Sequence, residues 1–196
     1  MKKGYIVLIV IAVVVLSIFF WFKGAYNGMV NMREAVSAQW SHVENQYQRR
    51  LDLIPNLVNT VKGYASHEEN TLTEVVNARA KATQMQLNID QLDEAALKKL
   101  SNIQGELSSA LSRLMAISEN YPDLKANQNF LDLQAQLEGT ENRIAVERRK
   151  FNDVARSYNA FILQFPRNLV AGMFGFTSKP YFEANAGAEN APKVEF

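Results

Sequence analysis

From Tyr5 to Phe22 the chain reads YIVLIVIAVVVLSIFFWF, without a charge and with Ser17 as the only non-aromatic polar residue. As a helix this run reaches roughly 27 Å, close to the hydrocarbon thickness of a bilayer. The pattern then changes. Apolar residues recur at Val36, Trp40, Val43, Tyr47, Ile54, Leu57, Val61 and Tyr64 in steps of four and three, with Arg50 in the one gap. Such a heptad-like seam predicts a long helix facing other helices. Only Gly24 and Gly28 interrupt the path back to the apolar run. One helix is therefore expected from about Tyr5 to Lys62, kinked at Pro55.

Three more helices follow by the same reading. Gly63 is a plausible stop, and Ser66 with Glu69 has capping-box spacing. The second helix carries Leu72, Val75, Val76, Arg79, Ala80 and Leu87 on one stripe and ends near Asn88. Asp90 or Asp93 caps the third, whose buried face is Leu97, Leu100, Ile103, Leu107, Leu111, Leu114 and Tyr121, and Pro122 stops it. After a loop over 121–127 the fourth runs from about Asn129 to Phe165 and ends at Pro166. Its seam is Phe130, Leu133, Leu137, Ile144, Phe151, Val154, Tyr158, Phe161 and Phe165.

The expected fold is all-α: an N-terminal transmembrane helix continuing into an antiparallel, coiled-coil-like four-helix bundle with two long and two shorter helices. Residues 1–4 form a short flank, 5–22 the span, 23–166 the bundle, 167–184 an aromatic membrane-interfacial segment and 185–196 a disordered tail. Helix lengths place four helices together only in the half far from the membrane. The near half is then a stalk of the first and fourth helices alone. Its apolar side chains, Val36, Trp40, Val43, Phe151, Val154, Tyr158, Phe161, Ile162 and Phe165, are too many for a two-helix seam, and adjacent Phe161 and Ile162 point about 100° apart. An uncovered apolar face of this kind marks an interface, here between copies of the chain. The alternative is that the C-terminal segment folds back over it. That segment, with Leu169, Val170, Met173, Phe174, Phe176, Tyr181 and Phe182, suits either an element dipping into the headgroup region or a cap on the base of the bundle.

Charge and composition refine this picture. Lys2 and Lys3 give the positive start that a signal peptide needs, but the apolar run is longer than a signal core and no small-x-small cleavage site follows. An uncleaved anchor is expected, with Tyr5 and Trp21 at the interfaces. Against Lys23 and Arg33 beyond the span, the positive-inside bias is slight; it favours a cytoplasmic N-terminus and a body outside the cytosol. The net charge of +1 offers no field to recruit nucleic acid. Only 9 glycines and 5 prolines punctuate the 196 residues, an economy that fits helices.

The blocks YNGMVNMREAVSAQWSHVENQYQRRLDLIPNLVNTVKGYASHE (26–68), ENYPDLKANQNFLDLQAQLEGTENRIAVERRKFNDVARSYNAFILQFP (119–166) and GFTSKPYFE (175–183) together resemble the LemA family of bacterial membrane proteins. The resemblance implies a single N-terminal anchor in the bacterial cytoplasmic (inner) membrane and an antiparallel helical bundle. It implies no reaction. Family gene neighbourhoods with TPM-domain proteins or HtpX-type membrane peptidases suggest an envelope partner.

Candidate chemistry is sparse. His42 and His67 stand far apart without an HExxH, there is no cysteine, and no glycine-rich phosphate loop is present. No catalytic, metal or cofactor residue is expected, and no cofactor. Arg49-Arg50 and Arg148-Arg149-Lys150 each suggest a solvated face plus one inward arginine, with Arg50 pairing across to Glu147. The functional expectation is a non-enzymatic, membrane-anchored structural protein that self-assembles laterally and scaffolds or remodels the bilayer. Its partners would be lipid and further copies of itself. The alternative is an adaptor that presents clients to a membrane peptidase or another envelope partner.

Overall fold

The computed structural model describes residues 2–85 and 87–183. The expected tail, 185–196, lies outside the described residues. Six α-helices and one 3-10 turn make up the described chain: α1 Lys2–Tyr64, α2 Glu69–Gln84, the 3-10 turn Ile89–Gln91, α3 Glu94–Ser118, α4 Pro122–Lys125, α5 Gln128–Leu163 and α6 Arg167–Phe174. No strand occurs among the described residues.

The predicted first helix forms unbroken through Gly24, Gly28 and Pro55, and at about 95 Å it is by far the longest element. Its start is the apolar run, which lies exposed along its length; it is the one helix among the described residues long and apolar enough to cross a membrane. Beyond the run, Val36, Trp40, Val43, Tyr47, Ile54, Leu57 and Val61 are all buried as the seam requires. Tyr64 is not: it stands exposed at the helix end, where its hydroxyl accepts a hydrogen bond from Asn127 Nδ2 at 2.9 Å.

α5 runs antiparallel to α1 along the bundle, and α2 and α3 pair as a hairpin against α1. Local signals explain most of the ends. Asp93 caps α3, its Oδ1 accepting from the Ala96 amide at 2.7 Å, and Asn127 caps α5 through the Phe130 amide at 3.0 Å. The expected capping box at Ser66 does not form; Glu68 occupies the cap position without a side-chain bond. α2 ends at Gln84, and its buried stripe is Leu72, Val75, Ala78 and Ala82, while Val76 faces outwards. α5 stops at Leu163, two residues before Phe165. The residue preceding a proline is driven away from helical backbone, so the break comes ahead of Pro166.

The buried apolar residues form two separate clusters. The distal one joins Leu51, Ile54, Leu57, Val61, Leu72, Val75, Leu107, Leu114, Phe130 and Leu137. The proximal one joins Met29, Val36, Trp40, Val43, Ile144, Phe151, Tyr158 and Ile162 with Val170, Ala171 and Phe182 from the C-terminal segment. The near half of the bundle thus has three layers where helix lengths alone suggested two.

Candidate membrane-facing site

The C-terminal segment turns back at Gln164–Pro166, and α6 lies against both α1 and α5. Gly175 ends α6 with φ +73°, a left-handed conformation that suits glycine. The Phe176 amide closes the turn on the Ala171 carbonyl at 3.0 Å. From there residues 176–183 run as an extended strap along α5.

Two asparagines of α5 hold the strap. Asn159 donates from Nδ2 to the Lys179 carbonyl and accepts at Oδ1 from the Lys179 amide, both at 2.8 Å. Asn152 makes the same pair with the carbonyl and amide of Phe182, again at 2.8 Å. Seven helical residues rise about 10.5 Å and three extended residues cover about 10 Å, so the two spacings match. A side-chain amide presents one donor and one acceptor side by side, as a neighbouring strand would. The strap is thereby satisfied as if it were paired in a sheet, though no sheet exists. Lys179 points inwards and donates from Nζ to the Ile89 carbonyl at 2.9 Å, tying the α2–α3 connection to the strap. Asn159 and Lys179 are both buried.

Aromatic packing completes the cover. Phe182 stacks on Trp40, with ring centroids 6.1 Å apart, and meets Phe151 edge-on at 5.6 Å. Arg148 lies over the Phe182 ring at 4.4 Å. At the end nearest the apolar run Phe174 packs on Phe22 and Tyr26, and Arg33 lies 5.6 Å from the Phe176 ring. Arg167 sits 4.1 Å over Phe161, whose ring tip in turn reaches so close to Gly28 that a Cβ there would be 2.8 Å away.

This arrangement redistributes the expected site residues. Val36, Trp40, Val43, Phe151, Tyr158 and Ile162 lie buried inside one chain, and Val154 and Phe161 are half-buried beside them. The apolar surplus of the stalk is absorbed by the strap and α6, so it is a core and no open face. Only Phe165 stays uncovered, at 81% exposure. Within the C-terminal segment Val170 and Phe182 turn into the bundle, Phe176 is half-covered, and the Tyr181 hydroxyl accepts a bond from Asn159 Nδ2. Leu169, Met173 and Phe174 remain exposed, Met173 at 71%. Leu163 and Phe165 are exposed as well, at the turn into α6, and Phe174 places α6 beside Phe22, where the apolar run of α1 ends. Asn152 and Asn159 escaped the sequence reading. Their signal was a pair of polar residues seven apart on the same side of an otherwise apolar seam.

The inward arginine is Arg50, as expected, but its partner is Glu141, with Nη1 and Oε1 2.9 Å apart. Glu147 lies six residues further along α5, about 9 Å away, and is engaged elsewhere. Its carboxylate accepts from Lys150 Nζ and Gln39 Nε2, each at 2.7 Å. The bond from Lys150, then that from Gln39, hold the Glu147 carboxyl below the usual carboxylate range. Among the described residues no group of three or more His, Cys, Asp or Glu is placed to hold a metal ion.

The LemA family profile matches residues 39–196, which include most of the bundle, the asparagine pair and the strap. The chain belongs to the LemA family. It is 31% identical over 174 residues to magnetosome protein MamQ of Magnetospirillum gryphiswaldense, a match covering 80% of this chain and 64% of that one. MamQ 2 of Paramagnetospirillum magneticum is 32% identical over 176 residues, covering 81% and 64%. Protein LemA of Metamycoplasma hominis is 24% identical over 168 residues, covering 85% and 73%. The chain thus spans a little under two thirds of the length of the MamQ relatives. As a LemA-family protein with one N-terminal apolar helix it is a membrane-associated protein, and that helix is compatible with single-pass anchoring.

Proposed function

We propose that this LemA-family chain is a non-enzymatic structural protein that touches one bilayer twice, through the span of α1 and through the base formed by α6. The observation that carries this is the split of α6: Val170 and Ala171 are buried on the bundle while Leu169, Met173 and Phe174 stand exposed next to Phe165. An apolar face this close to the apolar run of α1 is stable when lipid covers it. Two contacts fix the bundle's attitude on the membrane, and an element lying in one leaflet displaces headgroups on that side alone. Both properties suit a protein that shapes or scaffolds a membrane. Lateral association of copies would draw on outward residues such as Leu131 and Val146 of α5, since the stalk seam is internal.

The natural absence of cysteine makes the test direct. A nitroxide on Met173→Cys in lipid nanodiscs is expected to be accessible to oxygen and shielded from an aqueous nickel complex. A label at Gln128→Cys, at the far end of the bundle, gives the aqueous reference. Equal nickel accessibility at the two positions would refute the proposal.

A second reading, an adaptor for an envelope protein such as a membrane peptidase, is favoured by a cleft of about 590 Å³ between α1 and the α2–α3 connection. Trp40, Glu44, Asn45, Leu87 and Gln104 are among its walls. It expects a partner to co-purify from native membranes and to be lost with Asn45→Arg, at an exposed position on the rim.

A further inference from the structure

The membrane end of this protein carries charge of one sign only. No aspartate or glutamate occurs among residues 1–33; the first is Glu34. None occurs among residues 157–182 either, the segment that folds back onto the same end. Basic residues are present in both stretches. Lys23 follows the apolar run directly and is exposed. Arg167 opens α6, with its guanidinium held over Phe161 at 4.1 Å. Arg33 is held over Phe176 at 5.6 Å, about 16 Å further along α1 from Phe22. Lys179 does not contribute, because its Nζ is turned inwards onto the Ile89 carbonyl. The acids of the chain are confined to the bundle and to the residues after Phe182, so a near-neutral total hides a separated charge.

Charge separation of this kind narrows the ligand. The exposed Leu163, Phe165, Leu169 and Met173 belong to the same acid-free segment as Arg167, which folds back beside Phe22 through Phe174. A partner must therefore supply an apolar phase and anionic groups at its edge, and one surface does both where the helix already enters it. Arg167 and Arg33 are held over the Phe161 and Phe176 rings, and Arg167 Nη1 also donates to Gln164 Oε1 at 2.7 Å, which leaves the other guanidinium donors of Arg167 for phosphate oxygens.

We propose that the base of this protein selects anionic phospholipid headgroups, with Lys23 and Arg167 as the primary contacts and Arg33 at the outer edge. The inference rests on the base lying in the bilayer, as proposed above, and adds the chemistry of the lipid it prefers. Each basic residue near a membrane surface strengthens attraction to anionic lipid about fivefold at ordinary ionic strength. The zwitterionic phosphatidylcholine headgroup offers the same phosphate without the net charge, so the pair of lipids isolates the effect.

The experiment uses the full chain in phosphatidylcholine vesicles containing trace spin-labelled phosphatidylglycerol or, separately, trace spin-labelled phosphatidylcholine. The motionally restricted fraction of each label reports which lipid the protein retains at its boundary. The expected result is about fivefold or greater preference for phosphatidylglycerol, falling towards parity in about 1 M salt. The triple variant Lys23→Gln/Arg33→Gln/Arg167→Gln should lose the preference. Arg33→Lys with Arg167→Lys, which keeps all three positive charges, should retain most of it, and this separates lost charge from lost packing. Preference that survives in the triple glutamine variant, or equal retention of the two lipids by the natural chain, overturns the inference. The nitroxide at Met173 measured in the same vesicles distinguishes the two failures. A lipid-buried label with no headgroup preference refutes the anionic selection alone, whereas a water-exposed label refutes the seated base on which it depends.

Discussion

Arg50 of α1 and Glu141 of α5 meet across the bundle with 2.9 Å between Nη1 and Oε1, at the height where the apolar core is interrupted. Below them lies the proximal cluster with Tyr47 and Ile144, and above them the distal cluster with Leu51 and Leu137. Gln104 Oε1 and Ser108 Oγ of α3 accept from Arg50 Nη1 and Nη2 at 3.4 and 2.6 Å, and Thr140 is buried in the same layer. The layer is incompletely satisfied: the Tyr47 hydroxyl and Arg50 Nε have no hydrogen-bond partner among the described residues. A polar layer of this sort disfavours sliding of α1 past α5, since any other register buries the charge against carbon.

The two partners should therefore respond unequally to substitution. Glu141 is 44% exposed at its side chain and Arg50 is 2% exposed. Glu141→Gln leaves a buried guanidinium underpaired and should destabilise the fold by about 1–3 kcal/mol, the lower end reflecting the solvent near Glu141. Arg50→Met fills similar volume without charge and should be close to neutral or stabilising. Denaturant melts of the two variants in the same detergent test the order, and an equal loss in both would contradict it.

The strap depends on its two asparagines more than on its own sequence. Asn159→Leu removes both side-chain bonds to the Lys179 backbone, at about 1–3 kcal/mol for a buried group that loses its bond. Asn152→Leu should do the same at Phe182. Hydrogen exchange should quicken at residues 179 and 182 while the α1–α5 amides far from the membrane stay protected. Uniform loss of protection would mean that the strap is not a separable layer.

Gly28 and Phe161 form a close-packed pair, with a built Cβ only 2.8 Å from the ring tip. Gly28→Ala gains about 1 kcal/mol of helix propensity and loses a comparable amount in moving the ring. Gly28→Leu has no such balance and should cost about 1–3 kcal/mol through overpacking. Combining it with Phe161→Ala should recover part of that loss, so a double-mutant cycle should show coupling between the two positions. Strictly additive losses would exclude the contact.

Glu147 makes part of the stability sensitive to acid. Its folded pKa lies below the unfolded value, so its contribution is present above about pH 4.3 and is lost as pH falls through the lower folded value. Glu147→Gln should melt below the natural chain near neutral pH, with the gap closing under strongly acidic conditions. Melting temperatures measured across that range check the sign, and a gap that widens towards acid would reverse it.

Periodicity along the chain was enough for the apolar run, the long first helix, the seam facing α5, and the all-α class. These are local properties: helical spacing places every third or fourth residue on one side, and no partner is needed to read it. The cap at Asp93 was legible for the same reason, and the false capping box at Ser66 shows the limit of spacing without backbone geometry. The ends of α2 and α5 shifted by two to four residues, where loop packing and Pro166 outweigh propensity.

What only the tertiary structure decided is which apolar residues face protein and which face outwards. The chain contains Trp40, Phe151, Phe161 and Phe182 in any fold, but it takes the amide pairs of Asn152 and Asn159 to lay Phe182 on Trp40 and convert an apparently open stalk into a core. Likewise Arg50 had to be inward by its place in the seam, while its choice of Glu141 over Glu147 depends on how far α5 slides along α1. Burial is a relation between segments distant in sequence, and α5 and the strap come together only after the turn at Pro166. The sequence therefore determined the helices and the apolar run, and the fold determined that Leu163, Phe165, Leu169 and Met173 stay exposed while the stalk seam is buried.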